Sequence, residues 1–206
     1  MVFALECIGT VAFAVSGAMT ALKKQMDLFG VIMLALITSV GGGVIRDVIL
    51  GKTPPATFRN PVYAIIAAVT AIIVCLPFVR KLFKRYEKFF DYLLFLMDTL
   101  GLGIFTVVGV DTAFSHSHHY SAFLLCFVGV ITGVGGGLMR DMMAGDIPYI
   151  FSKHIYAIAS IEGALVCIWM WDFSPMWAMF CGASLIVIVR ILARHFHWGL
   201  PRASLQ

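Results

Sequence analysis

The run Gly41-Gly42-Gly43-Val44-Ile45-Arg46-Asp47 recurs 94 residues later as Gly135-Gly136-Gly137-Leu138-Met139-Arg140-Asp141. Each copy is followed by a glycine four positions after the aspartate, Gly51 or Gly145, and then by Pro54 or Pro148. Upstream, Glu6, Gly9, Phe13, Val15, Gly17, Thr20 and Ala21 match Asp98, Gly101, Phe105, Val107, Gly109, Thr112 and Ala113 at a spacing of 92; downstream, Tyr63-Ala64-Ile65 matches Tyr156-Ala157-Ile158 at 93. Self-similarity of this extent is a duplication. The chain must therefore fold as two copies of a unit of about 90 residues, followed by a tail from about Ser174.

Apolar residues make up 61% of the chain and charged residues 13%, a balance that leaves too little polar surface for a soluble domain. The chain reads as an integral membrane protein. Apolar runs of about bilayer length fall at 2–22, 28–50, 61–79, 91–113, 120–144, 153–171 and 175–193. The expected fold class is an all-α membrane protein of seven transmembrane helices. The expected parts are a first three-helix repeat with a basic linker (1–89), a second three-helix repeat (90–173), and a seventh helix with a tail (174–206). Three spans per repeat force the second copy to enter from the opposite face, so the repeats are inverted, an arrangement that places a site at the repeat interface. The first run has no basic n-region and carries Glu6, so it reads as a retained span rather than a cleaved signal peptide.

Loop charges set the orientation. One side carries Lys23, Lys24, Arg80, Lys81, Lys84, Arg85, Lys88, Lys153, Arg190, Arg194 and Arg202; the other carries Lys52 and Arg59. The N-terminus is expected outside and the C-terminus in the cytoplasm of a cell inner (plasma) membrane. The net charge of +4 follows from this asymmetry and does not call for nucleic acid. The cluster Arg80, Lys81, Lys84, Arg85 and Lys88 joins the repeats, and serves either as a topology signal or as a contact for anionic lipid headgroups.

Three consecutive glycines within a span oppose helix formation, at about 1 kcal/mol each against alanine. Two readings stand: helices two and five are broken there, freeing backbone groups toward a cavity, or the glycines let helices pack closely, as in the small-residue steps Gly129, Gly133 and Gly137. Arg46, Asp47, Arg140 and Asp141 lie toward the far ends of these spans, where charge needs a partner or a headgroup. Adjacent helical residues point about 100° apart, so two arrangements are open: an exchange across the pseudo-twofold, Arg46 with Asp141 and Arg140 with Asp47, or anchoring of each arginine to headgroups or helix-end carbonyls. Glu162, in the middle of span six, is expected to face a cavity or a donor. Glu6 and Asp98 hold equivalent places, and Asp111 lies near the end of span four.

His116, His118 and His119 form a loop cluster without a nearby Cys or acid, and read as a polar loop rather than a metal site. The five cysteines read as free buried thiols. No cofactor is expected. No phosphate loop, nucleophile elbow or HExxH is present, so the chain does not read as an enzyme.

With its two Gly-Gly-Gly-x-x-Arg-Asp copies, the chain resembles the prokaryotic relatives of the trimeric intracellular cation (TRIC) channels. It is also similar to the duplicated bacterial inner-membrane domain labelled a glycine transporter, from about Ala4 to about His195. The resemblance implies a homotrimer with one pore per subunit and kinks in helices two and five at Gly41 to Gly43 and Gly135 to Gly137. The animal channels bind a phosphoinositide through a lysine-containing motif on those helices; this chain has no lysine beside either glycine run. Three functions follow: a potassium and sodium channel lined by Gly41, Gly42, Gly43, Arg46, Asp47, Gly135, Gly136, Gly137, Arg140, Asp141 and Glu162; a carrier of glycine or another small zwitterion; or a membrane scaffold.

Overall fold

The computed structural model describes residues 2–116, 120–152 and 155–198. His118, His119, Lys153 and Arg202 lie outside the described residues, as does the side chain of Lys84. The helices are α1 (Val2–Lys23), α2 (Leu28–Ile49), α3 (Ala56–Arg59), α4 (Val62–Cys75), α5 (Pro77–Arg85), α6 (Glu87–His116), α7 (Ala122–Met143), α8 (Tyr149–Ser152), α9 (Ile155–Trp169) and α10 (Pro175–His195). Two long helices, a four-residue helix and a shorter apolar helix occur in that order twice, as α1–α4 and α6–α9, with α5 between them and α10 after. Of the seven expected spans, α1, α2, α6, α7 and α10 are long and apolar enough to cross a membrane, while α4 and α9 are the shorter third members of each unit.

The third span departs from expectation. It does not run straight over 61–79: α4 ends at Cys75, Leu76 is extended (φ −56°, ψ 141°), and the chain restarts as α5 at Pro77, bent by 67°. Proline drives the residue before it out of the helical region and is preorganised for a first helical turn, so the sequence itself sets the bend.

The glycine runs also depart from the broken-helix reading. α2 and α7 are continuous α-helix through Gly41–Gly43 and Gly135–Gly137. The glycines instead mark where the two helices cross. A methyl group at Gly42 would collide with the carbonyl oxygen of Thr132, and one at Gly136 with that of Thr38. These contacts are the same contact seen from either repeat, since both residues shift by 94. In lipid, where apolar burial gives helices no reason to associate, contact of this closeness is what holds them together. Phe13 and Phe105, also equivalent, lie beside the crossing with ring centroids 5.2 Å apart; Phe13 fills the space a side chain would need at Gly101, and Phe105 that at Gly9.

α10 closes the second repeat. Gly163 of α9 and Gly182 of α10 meet, a Cβ on Gly182 lying 2.7 Å from the Gly163 carbonyl oxygen. This packing brings Arg190, near the end of α10, into the protein interior.

Candidate functional site

The ends of α2 and α7 are built alike. After α2, Gly51 adopts φ +70°, its N–H bonds to the Val48 carbonyl, and the Lys52 N–H bonds to the Asp47 carbonyl; Gly145 (φ +71°), Met142, Asp146 and Asp141 repeat the arrangement. This is the Schellman termination, which needs a residue at ease with positive φ. It explains why a glycine follows each aspartate at the same distance, and it turns the chain back so that the short helix comes under the Asp side chain. Asp47 Oδ2 accepts the Ala56 N–H at 2.8 Å, and Asp141 Oδ2 accepts the Tyr149 N–H at 2.9 Å. Each carboxylate thus satisfies one of the free amides that open a helix.

The other oxygen of each aspartate takes its own neighbour. Arg46 Nε donates to Asp47 Oδ1 at 2.9 Å, and Arg140 Nε donates to Asp141 Oδ1 at 2.8 Å. The exchange across the pseudo-twofold does not occur. The 100° separation of adjacent Cβ directions holds, but the arginine chain is long enough to curl back, and the aspartate is already fixed by the following helix.

Beyond this shared frame the two sites differ. In the second repeat Arg140 is 1% exposed and Asp98 0%. Asp98 accepts from Arg140 through Oδ1 and from Arg190 through Oδ2, both at 2.7 Å. Arg140 also donates to the Ser16 hydroxyl. Aromatic faces cover both cations: Tyr149 lies under Arg140 at 5.4 Å, and Tyr156 and Phe95 under Arg190 at 4.4 and 5.0 Å. Two arginines and two aspartates make a neutral, sealed cluster, in which each buried charge has the pairing that burial demands. The Tyr156 hydroxyl is buried beside Gly137 and has no hydrogen-bond partner among the described residues.

In the first repeat the position of Asp98 is held by Glu6 and that of Tyr156 by Tyr63, and the Tyr63 hydroxyl donates to Glu6. No described counterpart of Arg190 reaches this site, because α10 has no equivalent in the repeat. What remains is a cavity of about 40 Å³ lined by Glu6, Thr10, Ser39, Gly43, Arg46 and Tyr63, among others. That is room for water-sized occupants. At Gly43 an added Cβ would meet only Arg46 Nη2, at 3.8 Å, whereas at the equivalent Gly137 it would meet the Tyr156 hydroxyl at 2.6 Å. Asp111, half-buried on α6, lies within electrostatic reach of Glu6, Arg46 and Lys52. The first-repeat site therefore keeps a small cavity beside Glu6, whereas the second-repeat site is filled by Arg190 and Tyr156.

The structure brings together Arg46 with Asp47 and Arg140 with Asp141, and it places the six glycines at or beside the α2–α7 crossing. It does not bring Glu162 to either arginine site. Glu162 is exposed on the outer face of α9, and among the described residues it makes no ion pair. Of the linker cluster, Arg80, Lys81, Arg85 and Lys88 are exposed. Arg190 escaped the sequence reading because it has no repeat partner and counted only as a tail charge. Tyr63 and Tyr156 were visible as a matched pair, but their role depends on where their hydroxyls fall.

An all-helical integral membrane protein built from two copies of one unit, with a buried arginine–carboxylate site at the end of the second helix of each copy, is the class that this fold defines. The glycine transporter family model matches the chain twice, over residues 3–78 and 95–172, one match on each copy. The UPF0126 inner membrane protein YadS of Escherichia coli K12 is 34% identical over all of this chain and 98% of its own length. The UPF0126 membrane protein YvgT of Bacillus subtilis 168 is 34% identical over 98% of this chain and 96% of its own. The chain belongs to this glycine transporter (UPF0126) family. Among solved structures, it is similar to a TRIC cation channel studied for its conductance, with TM-score 0.82, 34% identity and coverage of 98% of this chain and 97% of that one. A prokaryotic TRIC channel crystallised in 0.5 M KCl superposes with TM-score 0.87 and 27% identity over 97% and 98%. The TRIC trimeric intracellular cation channel orthologue from Rhodobacter sphaeroides gives 0.85 and 28% over 96% and 98%.

Proposed function

We propose that the chain is a channel for monovalent cations, potassium and sodium, with a path in each subunit at the interface of its two repeats. The observation that carries this reading is the likeness to TRIC cation channels over 96–98% of the chain, at 27–34% identity. The site geometry supports it. Glu6, with Asp111 nearby, gives the first-repeat end an excess of carboxylate that concentrates cations. In this reading the buried Arg140–Asp98–Arg190 cluster is the constriction at the other end of the path.

In this reading the chain assembles as a homotrimer in the inner membrane, with the N-terminus outside and the C-terminus in the cytoplasm. Its functional parts are 1–89, 90–173 and 174–206. The pore-facing set is Gly41, Gly42, Gly43, Arg46, Asp47, Gly135, Gly136, Gly137, Arg140 and Asp141. The orientation follows from the loop charges, and it places the first-repeat cavity outside and the sealed cluster inside. The family description, glycine transporter, speaks for the carrier reading.

Recording from purified protein in planar bilayers under a potassium chloride gradient separates the two. Discrete current steps that reverse near the potassium potential and ignore added glycine are expected. Silence in the bilayer together with saturable glycine uptake into liposomes of the same preparation would overturn the channel.

A further inference from the structure

α5 follows α4 across a sharp bend and is the one described helix that lies between the two copies. Its nine residues, Pro77–Arg85, sort into three stripes when stepped at 100° per residue. Val79 and Phe83 form the first, half-buried, with Phe83 stacked on Phe90 of α6 at 4.1 Å between ring centroids. Phe78 and Leu82 form the second, 75% and 36% exposed. Arg80, Lys81 and Arg85 spread over the remaining face, with Arg85 adjoining Phe78, and all three are exposed. Among the described residues none of these three cations has an ion-pair partner. Arg85 only lies over the Tyr86 ring, at 5.6 Å, and α5 itself carries no acid. The contrast with the adjacent loops is sharp, for Lys23 pairs with Asp91 and Lys24 with Asp146 on the same side of the protein.

The 67° bend at Leu76 turns α5 away from the axis of α4, and the cations on α5 favour a place at the membrane surface over one within it. A short helix so placed holds one stripe against the protein, a second toward acyl chains and a third at headgroup depth, the arrangement of an interfacial helix. Arginine and lysine stems reach along the apolar stripe while their charged ends stay among the headgroups.

We propose that α5 is a docking site for anionic phospholipid, with Arg80, Lys81 and Arg85 binding headgroup phosphate and Phe78 and Leu82 seated in the acyl boundary. The occupant is a lipid and not an acidic protein, because these cations, without an ion-pair partner among the described residues, adjoin an apolar stripe at the end of a membrane span. The site stands apart from both arginine sites and does not depend on the channel reading. Since α5 is the only covalent link between the repeats and grips α6 through Phe83 and Phe90, bound lipid braces the junction of the two copies.

The test is native mass spectrometry of the full-length chain in detergent, titrated with dioleoylphosphatidylglycerol and separately with dioleoylphosphatidylcholine. Wild type is expected to retain the anionic lipid in preference, with retention falling as salt rises. The triple variant Arg80→Gln/Lys81→Gln/Arg85→Gln is expected to weaken that retention by about fivefold per cation removed, on the order of 100-fold in all, while phosphatidylcholine binding stays unchanged. Lys52→Gln/Arg59→Gln, on the other side, is expected to behave as wild type. If the triple variant fails to assemble, Lys81→Gln alone carries the comparison. Equal retention of the two lipids by wild type, or undiminished phosphatidylglycerol retention by the α5 variants, would overturn the proposal. So would an equal loss in Lys52→Gln/Arg59→Gln, since it would mean that charge anywhere on the protein suffices.

Discussion

Gly42→Ala and Gly43→Ala change neighbouring residues by the same methyl group, yet opposite outcomes are expected. At Gly42 the new carbon falls on the Thr132 carbonyl oxygen, with the Thr132 carbonyl carbon at 3.1 Å and the Gly136 amide nitrogen at 3.4 Å. All three are backbone atoms, so no rotamer change relieves the overlap, and α2 and α7 must part by on the order of 1 Å to restore ordinary contact. Overpacking of this kind costs about 1–3 kcal/mol, against a gain of about 1 kcal/mol from replacing a helical glycine by alanine. At Gly43 the gain stands almost alone, because the nearest atom is the flexible end of Arg46 at 3.8 Å. Gly42→Ala should therefore lower the thermal midpoint of the purified chain in detergent and Gly43→Ala should raise it or leave it unchanged. Gly136→Ala should mirror Gly42→Ala, and the double variant should lose less than the sum, since both methyl groups wedge the same crossing. A Gly43→Ala protein as destabilised as Gly42→Ala would refute the crossing account and restore a special backbone at the triplet.

Further outcomes follow from the two sites. Asp98→Asn leaves Arg140 and Arg190 buried without their shared carboxylate and should destabilise by about 3–5 kcal/mol in chemical denaturation; a loss under 1 kcal/mol would mean that water reaches the cluster. Tyr156→Phe removes a buried hydroxyl that lacks a partner among the described residues and should be neutral or stabilising, whereas Tyr63→Phe strips Glu6 of its donor and should cost about 1 kcal/mol; the same assay compares them, and the reverse order would contradict the asymmetry of the repeats. Gly145→Ala, at φ +71°, should cost about 1–2 kcal/mol through backbone strain, with Gly145→Asn milder, as thermal denaturation would register. Glu6→Gln should lower the cation-to-anion permeability ratio measured from reversal potentials, and an unchanged ratio would remove Glu6 from the conduction path.

Much of this protein was legible in its sequence because the controlling physics is local or is repeated. Apart from the split third span, the apolar runs match the observed helices, since a backbone in lipid has few options besides a helix. The Arg-Asp-x₃-Gly spacing is a helix termination written out in full, and the proline after Leu76 contains the bend that splits the third span. The duplication announced paired sites before any geometry was known. Tertiary structure decided what each pair does. Whether Gly42 breaks a helix or lets two helices touch depends on Thr132, ninety residues away in the chain. The pairing of Arg46 with its own neighbour depends on Ala56 having already fixed Asp47. Two units of one design also part company for a reason that no repeat alignment contains: α10 lies outside the duplication and carries Arg190 to Asp98, sealing one site, while at the other Tyr63 turns to Glu6 and leaves a cavity. Pairings between buried charges depend on which helices reach the same depth, and sequence spacing does not carry that information across separate elements.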